Sequence, residues 1–190
     1  TGRQLPKTDA RRFEQLVRQF NYPEKSFIRG KEDLAMYGIK TFFTSDVCSA
    51  YRRSAYTECG GFPFPCNQSE DMYMAAKMIA MDWLVAYEAN ACVYHSHNLT
   101  PKQQYERNYA IGYFLEENKD VLMDASEIGE GKRLVAYVTG SLLHEGHLGE
   151  LCAFGIDCVA RLMGNRAGRK QACRSVEIMK HRYFKGDETK

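Results

Sequence analysis

Residues 60–97 constrain the fold more than any other part of the chain. They run from a Gly60-Gly61 pair through Glu70-Asp71 into a helical pattern, then into a strand that ends in His95-Ser96-His97. Met72, Ala75, Ala76, Ile79 and Trp83 recur at helical spacing, so one face is buried and the acidic pair opens the helix. Residues 84–94 are rich in Val, Ala, Tyr and Cys and read as the strand, with period two setting both imidazoles on one side. Carboxylate and imidazole groups therefore stand at the two ends of one helix-strand unit, which is how a pocket is furnished.

The free amides and the positive dipole end of a helix favour a charged carboxylate, and an ionised Asp can accept a proton. Spacing alone equally accommodates Ser69, Glu70 and Asp71 as capping groups. A His-x-His without neighbouring cysteines is compatible with a metal ligand, while a hydrogen-bonded structural histidine is the plainer reading.

Composition bounds the rest. With 190 residues, 44% apolar and 12% aromatic, the chain can bury one real core. A net charge of +2 excludes a nucleic-acid binder. The chain has no apolar run long enough to span a bilayer and no signal-peptide pattern. Its seven cysteines are scattered without a Cys-x-x-Cys, which points to free thiols in a reducing cytosol.

In chain order, Thr8 is the expected cap of a helix with Phe13, Leu16, Val17 and Phe20 on one face, ended by Asn21-Tyr22-Pro23. A polar connector, 24–33, leads to a short segment at 34–37. Residues 40–50 read as a strand entering a Tyr51-Arg53 turn, and a short helix over 53–58 stops at Gly60-Gly61. Phe62-Pro63-Phe64-Pro65 then forms a stiff apolar loop. Thr100, Pro101 and Gln103 make a capping box with Pro at the first helical position, and Tyr105, Tyr109 and Tyr113 follow at four-residue intervals. Two further helices are expected, one on Leu134, Val135, Val138 and Leu142. The other rests on Leu148, Leu151, Cys152, Ile156, Val159 and Met163 and stops near Gly164-Asn165. Residues 151–190 hold nine Lys or Arg against four Asp or Glu, a basic tail suited to solvent or to anionic lipid.

Five segments carry a resemblance. Ser49-Ala50-Tyr51-Arg52-Arg53, Cys59-Gly60-Gly61-Phe62, Glu70-Asp71, Val93-Tyr94-His95-Ser96-His97-Asn98 and Arg107-Asn108-Tyr109-Ala110-Ile111-Gly112 occur in this order. Together they resemble the C-terminal half of a family 2 glycosyltransferase of GT-A fold, in its rhamnosyltransferase-like branch. The resemblance implies an α/β fold: a partial GT-A sheet with helices over 1–125, then a helical tail over 126–190. It implies an inverting transfer of a sugar, rhamnose by the family label, in cell-surface polysaccharide synthesis.

By the same resemblance Asp71 is the general base beside Glu70, and Ser49, Arg53 and Gly61 lie near the donor sugar. Arg107 neutralises the leaving diphosphate, and His95 helps bind a divalent metal, Mn or Mg. The implied partners are a nucleotide sugar donor and a glycan or lipid-linked acceptor. Lipid-linked acceptors and the basic tail together imply a cytoplasmic protein in peripheral contact with the inner face of the plasma membrane. The family's Asp-x-Asp half has no counterpart, since Asp9 and Asp46 stand alone, so the chain reads as a half enzyme whose open sheet edge invites a homodimer. Two other readings compete: a noncatalytic binding or assembly module derived from such an enzyme, and a metal hydrolase built on Asp71, His95 and His97.

Overall fold

The computed structural model describes residues 1–64, 68–123, 125 and 128–185, and their side chains except at 128 and 176–185. The fold is mixed α/β, predominantly helical, with one small sheet. Strand β1 (Gly2–Leu5) pairs in parallel with β3 (Val85–Tyr94), and β2 (Phe27–Arg29) pairs antiparallel on the other side, giving the order β1-β3-β2. Gln4 faces Val93 and Leu5 faces Tyr94, while Ile28 faces Ala86. A parallel pair cannot be closed by a hairpin. Here the long crossover carries α1 (Arg12–Asn21), β2, α2 (Leu34–Tyr37), α3 (Arg53–Glu58) and α4 (Glu70–Ala80).

Strand β3 alternates as a half-buried strand must, with Val85, Tyr87 and Ala89 inside and Ala86, Glu88 and Asn90 outside. Tyr87 anchors the core beneath it. Its ring stacks on Phe27 at 4.9 Å, and its hydroxyl donates to the Pro23 carbonyl at 2.8 Å. Helix α4 buries Met74, Ala75, Ala76, Met78 and Ile79, so the expected inward face is correct in its centre, whereas Met72 and Trp83 at its ends are only half-buried.

Contacts divide the chain into two compact units. The first comprises Thr1–Asn98 and Asp120–Gly155, and the second Leu99–Lys119 and Ile156–Lys190. The turn expected over 126–131 falls in part outside the described residues, as does Pro65 of the aromatic-proline loop. In the first unit, α6 (Ile128–His144) meets α1 through Arg12, which holds both Glu145 oxygens at 2.7 and 2.6 Å. In the second, α5 (Pro101–Glu117) packs on the later part of α7 (Leu148–Lys185). The capping box at the start of α5 forms as expected, with Thr100 and Gln103 bonded reciprocally. Gln104 donates to Asp157 at 2.9 Å inside the unit, and Arg161 closes the same carboxylate at 2.6 Å.

Three local expectations are corrected. Residues 40–50 are not a strand; 3₁₀ turns occupy Gly38–Phe42 and Asp46–Cys48. The reason lies in hydroxyl groups that bond the nearby backbone and so offer it an alternative to a ladder. Ser49 Oγ donates to the Ser45 carbonyl at 2.6 Å, and the Ser45 amide donates to Thr1 Oγ1 at 3.1 Å. Thr8 does not cap α1, which begins at Arg12 without a cap from its own N-cap side chain. A distant residue takes that place: Asn98 accepts from the Arg11 amide at 3.1 Å and donates to the Asp9 carbonyl at 2.8 Å.

Finally, α7 does not stop at Gly164-Asn165. Gly164 and Gly168 face α5, where a Cβ would lie 2.3 Å from the Tyr105 carbonyl oxygen and 2.0 Å from that of Tyr109. Gly112 of α5 reciprocates against Asn165. These glycines bring two helix backbones together rather than ending a helix, and the tyrosine stripe is the segment they pack on.

Candidate functional site

The site is assembled at the start of α4. Ser69 sits in the left-handed region at φ 66° and gives no side-chain cap, which removes the simplest alternative for this segment as regards Ser69. Asp71 Oδ1 accepts from the Met72 amide at 2.7 Å. Asp71 is largely withdrawn from water, and this burial pushes its pKa up to about 6, with the charges of Asp46 and Glu70 adding to the effect. At neutral pH such a group is ionised, yet it binds a proton more readily than an ordinary aspartate.

Around it lies a polar network on the loop before α3. The Tyr51 hydroxyl donates to Asp46 Oδ1 at 2.5 Å. Burial and the Asp46 carboxylate together raise the Tyr51 pKa, so the phenol stays protonated and acts as a donor. Ser49 Oγ and Thr44 Oγ1 lie 3.2 Å apart. Beside the network opens a cavity of about 510 Å³, lined by Ser49, Tyr51, Arg52, Met78, Trp83 and Val85 among others. The Arg52 guanidinium stands 5.9 Å from the Trp83 ring.

The Gly60-Gly61 turn follows α3 as expected, with φ of 81° and 73° that favour glycine at both positions. Gly61 is backed by the Tyr56 ring, which would crowd an added Cβ at 3.2 Å, and the Phe62 amide donates to the Tyr56 hydroxyl at 3.2 Å. Phe62 stands edge-on to both Tyr51 and Tyr56, at 5.5 and 5.2 Å. Phe64 beyond it is 98% exposed.

Among the residues expected at the site, Asp71 and Glu70 stand together at the head of α4, and Ser49 lines the cavity. Arg53 is exposed on the first turn of α3, with its neighbour Arg52 lining the cavity instead. Gly61 shapes the turn. Arg107 is exposed on α5, in the second contact unit. His95 is half-buried at the end of β3; its amide donates to the Leu5 carbonyl at 2.8 Å and its ring stands perpendicular to that of His97 at 4.5 Å.

Among the described residues no group of three or more His, Cys, Asp or Glu is placed to hold a metal ion. The described residues thus do not supply a complete donor set, and the hydrolase reading, which needs Asp71, His95 and His97 at one ion, is set aside. Asp46 is the residue that sequence reasoning missed. It stands alone in the sequence, and its only signal is its place in the Ser-Asp-Val-Cys-Ser run ahead of Tyr51.

The chain is similar to rhamnosyltransferases. It is 48% identical over 113 residues to O-antigen chain rhamnosyltransferase RfbN of Salmonella typhimurium (strain LT2), covering 60% of this chain and 36% of the relative. It is 44% identical over 135 residues to O-antigen chain rhamnosyltransferase WbaN of Salmonella anatum, covering 70% and 43%. The chain therefore spans less than half the length of these curated relatives. No family model and no solved structure matches it.

Proposed function

We propose that this chain carries the acceptor-activating part of a glycosyltransferase of O-antigen synthesis, one that moves rhamnose from a nucleotide sugar to a growing glycan. The observation that carries this reading is the 44–48% identity to two enzymes named for that reaction. The Asp71 carboxylate at the head of α4 supports it, because its burial makes it a stronger base than an ordinary aspartate. The GT-A architecture and the family 2 membership belong to the same proposal.

The reaction is an inverting displacement. Asp71 takes the proton of an acceptor hydroxyl as that oxygen forms a bond to the anomeric carbon of the donor, and the bond from that carbon to the diphosphate breaks with its electron pair leaving on phosphate. General-base help of this kind contributes about a hundredfold to ten-thousandfold. Glu70 keeps a second negative charge at the helix start, and Ser49, Arg52 and Trp83 line the cavity ahead of β3.

Contact with an anionic membrane surface belongs to this reading as well. Exposed Ile156, Val159 and Met163 share one face of α7 with exposed Arg166, Lys170 and Arg174, an apolar stretch continued by a basic one. Among the described residues no helix is long and apolar enough to cross a membrane.

The test is transfer of labelled sugar from a nucleotide rhamnose to an O-antigen-type glycan. Asp71→Asn should abolish transfer while circular dichroism stays native. Near-normal turnover by that variant would reject the assignment of the base.

A further inference from the structure

The cavity ahead of β3 has no part in the reaction as written above, and its walls have a defined chemistry. It holds about 510 Å³, within the range of small-ligand sites of about 300–1,000 Å³. Three hydroxyl side chains, Thr44, Ser49 and Tyr51, belong to its lining, and each directs its proton into the protein. Tyr51 donates to Asp46 Oδ1 at 2.5 Å, and Ser49 donates to the Ser45 carbonyl at 2.6 Å. With the Ser49 proton committed, Thr44 must be the donor in the 3.2 Å contact between the two hydroxyls. This part of the lining therefore presents oxygen lone pairs and no protons.

Another part of the lining is aromatic and cationic. Helix α4 ends in a Schellman cap: Asp82 takes the left-handed conformation at φ 62°, its amide donates to the Ile79 carbonyl at 3.1 Å, and the Trp83 amide donates to that of Met78 at 2.9 Å. The cap sets the Trp83 backbone at the cavity, and Glu58 Oε2 accepts from the indole Nε1 at 3.2 Å, so the ring is fixed from two sides. The Arg52 guanidinium lies 5.9 Å from that ring, and among the described residues no hydrogen bond or ion pair holds it. Its N–H groups are the free donors of the cavity.

We infer that this cavity binds a sugar ring of the acceptor glycan, stacked on Trp83, with its hydroxyls shared between the Thr44 and Ser49 oxygens and the Arg52 guanidinium. A sugar hydroxyl is both donor and acceptor, so it satisfies lone pairs and guanidinium protons alike, while the C–H face of the ring covers an indole. An ionised phosphate or carboxylate has no proton to give the hydroxyl oxygens. Ala75, which lines the cavity, stands one turn of α4 from Asp71 on the same face, about 6 Å along the axis, so neighbouring rings of one glycan can reach both. The sugar site stands on the hydrogen-bond pattern; only the role of its occupant as acceptor rests on the transferase reading.

Trp83 is the only tryptophan of the chain, so its emission reports on this cavity. The experiment titrates the whole chain with a rhamnose-containing oligosaccharide and, separately, with a nucleotide rhamnose, followed by Trp83 fluorescence and by calorimetry. The oligosaccharide should change the emission saturably. Thr44→Val keeps the side-chain shape and removes the oxygen, and it should weaken oligosaccharide binding about three- to tenfold, the scale of one hydrogen bond. Trp83→Ala, read by calorimetry, should weaken it about tenfold through the lost aromatic partner. In transfer assays Thr44→Val should raise KM for the glycan with kcat little changed.

No saturable emission change and no heat with the oligosaccharide would overturn the inference, as would a response to the nucleotide sugar alone, which would make the cavity a donor site. Should Trp83→Ala fail to fold by circular dichroism, Thr44→Val decides alone, and an unchanged oligosaccharide affinity in it counts against the site. Glycan binding without sugar transfer would remove the transferase reading and leave the sugar site; transfer with no binding at Trp83 would remove only the site.

Discussion

Replacing Gly168 by Ala tests the packing of the second contact unit through the sign of the change alone. Neither Gly168 nor Gly155, on the same helix, has a positive φ, so Ala is conformationally allowed at both. At Gly155 nothing lies within 4 Å of an added Cβ. There the substitution should simply recover helix propensity, about 1 kcal/mol. At Gly168 the Cβ would sit 2.0 Å from the Tyr109 carbonyl oxygen and 2.7 Å from the Tyr113 amide. A comfortable carbon–oxygen contact is about 3.3 Å or more, so the two backbones must part by about an ångström.

Opening a packed seam by that much forfeits about a quarter to a half of each dispersion contact along it. Overpacking of this kind costs about 1–3 kcal/mol, and strain between two backbones, which cannot rotate away, belongs at the upper end. After the propensity gain the net loss is about 2 kcal/mol. At about 2–4 °C per kcal/mol for a chain of this size, Gly168→Ala should melt about 4–8 °C below wild type and Gly155→Ala about 2–4 °C above it. Thermal unfolding followed by far-ultraviolet circular dichroism reads both. If Gly168→Ala melted at or above wild type, the close crossing of α5 and α7 would be refuted.

Three further outcomes are expected. Because burial raises the Asp71 pKa to about 6, the folded chain holds a proton there that the unfolded chain has released. That contribution to stability is full below the unfolded value of about 4 and is lost as pH rises through about 6, with about 3 kcal/mol as its upper limit. Asp71→Asn should therefore be more stable than wild type at pH 8 and equal to it below pH 4 in urea unfolding, and a gain that ignores pH would contradict the burial. Thr41 is fully buried, and among the described residues its hydroxyl has no hydrogen-bond partner, so Thr41→Val should raise stability by about 1 kcal/mol; a loss would show that the hydroxyl is satisfied. Thr100→Ala breaks the capping box of α5 and should cost about 1 kcal/mol, read as a lower urea midpoint, with no change meaning that packing alone sets the helix start.

Much of the local structure was legible in the sequence because short-range rules decide it. The α3 helix over 53–58, the Gly60-Gly61 turn, α4 opening at Glu70-Asp71, the alternating β3 and the capping box at Thr100 each follow from propensity, positive φ or a side chain bonding a neighbouring amide. The resemblance added the expected role of Asp71. What neither supplied was the bond between Tyr51 and Asp46, because Asp46 signals nothing until the chain folds.

Tertiary structure alone decided the rest. Residues 40–50 carry the composition of a strand but turn back on themselves, since Ser45 and Ser49 find hydroxyl and carbonyl partners, Thr1 among them. The start of α1 depends on Asn98, and the parallel pairing of β1 with β3 depends on the whole crossover between them. Gly164 reads as a helix stop from its neighbours, yet α7 runs on because the missing Cβ lets α5 approach. Each follows from one physical fact: a backbone or side-chain group is satisfied by whatever partner lies nearest in space, and sequence records only the partners that are also near along the chain.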